Sequence, residues 1–392
     1  MRLLLSAALA LVLAACAGAP KPAQPEQADP AAAWPPAVGA VTLERASVAP
    51  STVLDVIIEV FDTGLADAAA RPGDEPVFAA VRKAEAFYMP GRLRGVLVES
   101  GHWGAVRVAP RPSETAALFV SGRIVHSDGV DLVLALRAVD ASGAVWLDRQ
   151  YHDRAAVADY PVDAGADPFG DLYRRVANDL AAAKRARAVA ELPAIALLRY
   201  ADALAPGVFG DYLASGEDGR RVLRRAPAAD DPMLARVRRL RNQEYLFIDA
   251  ADEQYGDLVD RFAPTYHLWR QYAHELARYE TDYLARAGER EINARRGTYA
   301  AMQQTYSRFR RVKIHEQDLE ELAEGFDNEV TETVIDVDDR VGSMGLLVDG
   351  GLRDLAAPNS LDDLVFGDRC VASGLIHDRA DLGCGGGGLI VG

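Results

Sequence analysis

The apolar positions of this chain change their spacing several times, and each change marks an element. Residues 53–61 form a dense β-branched and aromatic run, which predicts a buried strand. Residues 77–88 and 93–99 carry helical spacing, with an interruption expected at Pro90-Gly91 and a stop at Ser100-Gly101. Trp103, Val106 and Val108 predict a second strand. Three strand-like runs follow, 119–125, 130–139 and 145–151, separated by the turn signals Ser127-Asp128-Gly129 and Ala141-Ser142-Gly143. They predict a three-stranded meander. Asp167-Pro168 then opens a helix, with Asp167 as N-cap and with Phe169, Leu172, Val176 and Leu180 along one buried face.

Beyond residue 188 strand signals fade. Residues 188–205 have helical composition, and Asp230-Asp231-Pro232 is a second N-cap and proline start. The stripe Leu258, Phe262, Tyr266, Trp269, Tyr272, Leu276, Tyr279, Tyr283 steps at a mean of about 3.6 residues, the period of a helix. Pro264 sits inside it, so the helix is expected to end near Ala263 or to kink there. Tyr299, Met302, Tyr306, Phe309, Leu319, Leu322 and Phe326 predict an antiparallel return after a break near Gly297. The pattern spells an α+β fold: a small α/β module with a three-stranded meander, followed by a long-helix bundle or hairpin. The expected organisation is a signal at 1–15, a tether rich in proline and alanine at 16–39, the α/β module at 40–185, a helical domain at 186–330 and a glycine-rich tail at 331–392.

Composition narrows the function. The 392 residues hold 43 Lys and Arg against 58 Asp and Glu, a net charge of −15. A general nucleic-acid binder needs a basic face to displace counterions, so nucleic acid is not an expected partner, and no basic patch is expected to reverse that. Three cysteines without a CxxC pair support neither a disulfide scaffold nor a zinc site.

One cysteine has a special setting. A single cation, Arg2, precedes an apolar stretch that is too short to span a bilayer and closes on Leu13-Ala14-Ala15-Cys16. Those four residues resemble the bacterial lipobox, a branched apolar residue and two small ones before the cysteine that receives diacylglycerol. The resemblance implies a lipoprotein acylated at Cys16, with the membrane as partner through its N-terminal lipid. Ala17, where aspartate would favour inner-membrane retention, implies the periplasmic face of the outer membrane. Acyl chains give about 0.8 kcal/mol per buried methylene, so two or three anchor stably without a spanning helix.

The α/β module also resembles a family of bacterial envelope domains: the N-terminal domain of the Tol-system translocation protein, the curli secretion lipoprotein and the lipoprotein activators of penicillin-binding proteins. The likeness rests on a helix ending at Ser100-Gly101 that feeds the strand from Trp103 to Val108. It continues through residues 117–122 into two hairpins, the second turning at residues 140–143. It implies fold and compartment more than activity.

Other motifs carry little chemistry. Residues 383–388 match GxGxxG, but only four residues follow, too few for the helix that a dinucleotide site requires. His267 and His274 are seven apart and could share a helix face toward a metal, yet such residues more often edge an aromatic stripe, so no metal or cofactor is expected. Cys370 and Cys384 could close a structural disulfide in an exported chain. Tyr266, Trp269 and Tyr272 read first as helix packing and, more sharply, as a partner-binding face. No GxSxG elbow or Walker loop is present. No catalytic residue is expected. The expectation is a non-catalytic, lipid-anchored periplasmic scaffold or regulator of an envelope assembly for cell-wall synthesis or transport, with an envelope protein as partner. The alternative is an envelope enzyme, such as a peptidoglycan hydrolase, with an interdomain cleft. A homo-oligomer built through the long helices is the third class.

Overall fold

A computed structural model of the protein describes residues 34–47, 52–66, 78–110, 115–163, 165–205, 207–216, 218–228 and 230–294, together with scattered positions between 303 and 328. Contacts group Met1–Pro35 apart from Pro36–Gly392, which forms one compact unit. The fold is α+β, as the pattern predicts. In chain order it runs β1 (Val56–Glu59), α1 (Ala79–Ser100), β2 (Val106–Ala109), β3 (Leu118–Ser127), β4 (Asp131–Asp140), β5 (Val145–Arg154), α2 (Gly170–Arg185), α3 (Leu192–Leu204), a small hairpin of β6 (Leu213–Ser215) and β7 (Arg221–Leu223), and α4 (Pro232–Ala294).

The main sheet has the order β2-β1-β3-β4-β5. β1 is parallel to both neighbours because α1 carries the chain over one face, whereas β3, β4 and β5 form the expected antiparallel meander. Both meander turns close on an aspartate. Asp128 accepts the amides of Val130 and Asp131, and Asp140 accepts those of Ser142 and Ala144 as well as the Trp146 indole N–H at 2.7 Å.

Prolines do less damage here than the sequence suggests. α1 runs through Pro90 without the expected interruption. Pro90 cannot donate to the carbonyl four residues back, but that carbonyl, on Ala86, accepts the Phe61 amide at 3.0 Å instead. α4 likewise runs through Pro264. There Pro264 and Asp260 lie on the exposed side, where water can take up the freed carbonyl. Asp231 caps α4 through the amides of Met233 and Leu234. Asp167 does not cap α2; that position belongs to Phe169, and Asp167 instead forms a turn that accepts the Phe169 amide at 2.8 Å.

One apolar core joins these elements. Ile58, Val120, Leu134 and Leu136 of the sheet share it with Leu93 and Leu97 of α1, Val176 and Leu180 of α2, Ile195 and Leu198 of α3, and Leu234, Leu258 and Phe262 of α4. α3 and the described part of α4 therefore bury their apolar stripes against the 40–185 module. Residues 317–325 are helical, with Leu319 packed on the same core and Leu322 against it, as the returning stripe predicts; the break near Gly297 lies outside the described residues.

Both sheet edges are covered. α4 lies along β2, where Asp252 accepts the Val108 amide at 2.8 Å and Asp249 pairs with Arg107. At the other edge, Val38 donates its amide to the β5 carbonyl of His152 at 2.9 Å, and its segment continues over α2 through Val41 to Asp171 and Glu44 to Asn178.

Asp153, 5% exposed at the end of β5, accepts the Leu172 amide, and burial pushes its carboxyl up to about 6. A folded value above the unfolded one of about 3.9 means that this group contributes stability below pH 4, which is lost as pH rises through 6. Asp153→Asn is therefore expected to stabilise the protein by about 2 kcal/mol at pH 7, and the gain is expected to vanish near pH 4. Urea unfolding of both proteins across that range checks it; a gain constant with pH would rule the carboxyl out as its source.

Candidate functional site

Side-chain alternation sets the site. On β4, Leu134, Leu136 and Ala138 point into the core, so Ala135 and Arg137 point to the opposite face of the sheet. Register then places Ser121, Arg137 and Asp148 in one row across β3, β4 and β5, and Arg123, Ala135 and Gln150 in the next. This outer face holds a groove of about 600 Å3, which Glu59 and Asp62 close at the β1 end. A Cβ at Gly122 would lie 2.7 Å from the Phe61 ring, so the glycine leaves that ring room in the groove wall.

The groove carries both signs of charge. Arg137 and Asp148 pair at 2.6 Å while remaining half-exposed, so they add little stability but a firm orientation. Arg149, in register with Leu136, stands on the other face of β5, where it lies over the Tyr151 ring and bonds to Asp179 of α2, with Tyr151 also donating to Asp179 at 2.9 Å. Burial raises the Glu59 carboxyl. Arg123, Arg137 and Asp148, with Glu59 and Asp62 at the β1 end, thus line the groove with charges of both signs.

A second polar cluster is buried where α1, α4 and the start of α2 converge. Glu85 accepts hydrogen bonds from Ser127 at 2.5 Å and Tyr266 at 2.8 Å, with Arg82 at 3.3 Å. Asp167 accepts the Tyr88 hydroxyl at 2.8 Å. Since that proton goes to Asp167, the His267 Nε2, 2.9 Å from the same hydroxyl, must donate, which fixes the imidazole tautomer. Burial lowers the His267 pKa and keeps the ring neutral. Between the two carboxylates lies Arg270, fully buried, 3.7 Å from each, and stacked on Tyr266 and Phe169. Burial disfavours its charge, but Tyr266, Asp167 and Glu85 outweigh that and hold the guanidinium protonated. Among the described residues no part of the guanidinium makes a hydrogen bond.

The residues singled out from sequence fall mostly in this interior. Tyr266 is fully buried and Trp269 nearly so, packed edge-on to Phe78. A partner cannot reach either, which corrects the binding-face reading for these two; Tyr272 is half-buried at the core margin. His267 faces Tyr88, whereas His274 stacks on Tyr160, so the two imidazoles serve different neighbours. Among the described residues no group of three His, Cys, Asp or Glu side chains could hold a metal ion. Cys16, Cys370, Cys384 and the glycine motif lie outside the described residues. Sequence reading missed the groove, although outward positions of alternating strands signal it: half-buried Ser121 and Ala135 beside exposed Arg123, Arg137, Asp148 and Gln150.

The chain matches no protein-family model and no curated protein. Among solved structures it is similar to a Xanthomonas campestris protein of the DUF330 family, over 36% of this chain and 89% of the other, at 14% identity and a TM-score of 0.24. A likeness that slight carries no argument about fold or activity.

Proposed function

We propose that this is a lipid-anchored envelope protein, held by Cys16 at the periplasmic face of the outer membrane, which docks another envelope protein and performs no catalysis itself. The observation that carries this reading is the Leu13-Ala14-Ala15-Cys16 sequence closing a short apolar stretch. The outer face of the sheet supports the docking role, since it offers a groove of about 600 Å3 with fixed charges of both signs. The scaffolding setting, wall synthesis or transport across the envelope, follows from the resemblance of the α/β module to activator and secretion lipoproteins.

Cys16→Ser is expected to move the protein from the membrane fraction to the soluble envelope fraction and to abolish the mobility shift that globomycin causes. An unmodified N-terminus on the native polypeptide would overturn the anchor. Docking is tested by crosslinking pull-down: Arg123→Glu with Arg137→Glu reverses two groove charges and is expected to lose the captured envelope protein while the fold persists.

One observation favours an enzyme. Glu59, half-buried beside Asp62 with its carboxyl pushed up by burial, has the character of a general acid. A cleared zone on cell-wall material that Glu59→Gln abolishes would establish that reading; we expect no clearing.

A further inference from the structure

We draw no further inference here: the strongest candidate, the buried side-chain cluster in which Arg270 of α4 stands 3.7 Å from Glu85 of α1 and from Asp167 ahead of α2, belongs to the site already described.

Discussion

Arg270→Met is expected to destabilise the protein by about 3–5 kcal/mol, the cost of removing one partner from a buried ion network. The methionine keeps most of the volume and still packs on Tyr266 and Phe169, so the loss is electrostatic. Glu85 retains Arg82 and Asp167 retains Arg92 at 3.8 Å, but both carboxylates are 1% exposed and lose the cation between them. Adding Glu85→Gln and Asp167→Asn removes the uncompensated charges and should recover most of the loss at pH 7. Urea unfolding followed by tryptophan fluorescence reads both. A loss below about 1 kcal/mol for the single variant would show that the cluster does not hold α4 to α1 and α2.

The network also shows where sequence reasoning stops. The meander was legible because strand alternation and turn residues are local: Asp128 and Asp140 close turns with their own neighbours. The α4 stripe was legible because its period is 3.6, and burial of Leu258, Phe262 and Tyr266 follows it. Arg270 was not legible. It lies one residue after Trp269, and nothing within its helix says that Glu85 and Asp167, both more than a hundred positions upstream, meet it. Pro90 misled for the same reason, since the donor that satisfies the Ala86 carbonyl comes from Phe61. The groove escaped notice because charged outward positions on strands look like ordinary solvated surface until register aligns Ser121, Arg137 and Asp148.

The two meander glycines look alike in sequence and have different work, which gives a sharp comparison. Gly143 has φ +92° and open space around a Cβ, so Gly143→Ala should cost about 1 kcal/mol of backbone strain and no more. Gly129 is not in the left-handed region, and alanine would suit its turn. Its constraint is proximity: a Cβ there would overlap the His274 amide nitrogen and lie 2.6 Å from the Arg270 carbonyl oxygen. Both are backbone atoms of α4, so no rotamer can relieve the clash and the helix must move. Gly129→Ala is therefore expected to cost about 3 kcal/mol or more, the upper end for overpacking, because displacing this turn of α4 also pulls Arg270 from its two carboxylates. The mechanism makes a coupling prediction. If the alanine acts by shifting Arg270, its cost should fall by at least about 1 kcal/mol when measured in the Arg270→Met background, since that network is already broken. Additive losses would instead mean that the β3–β4 turn braces α4 independently of the charge it carries.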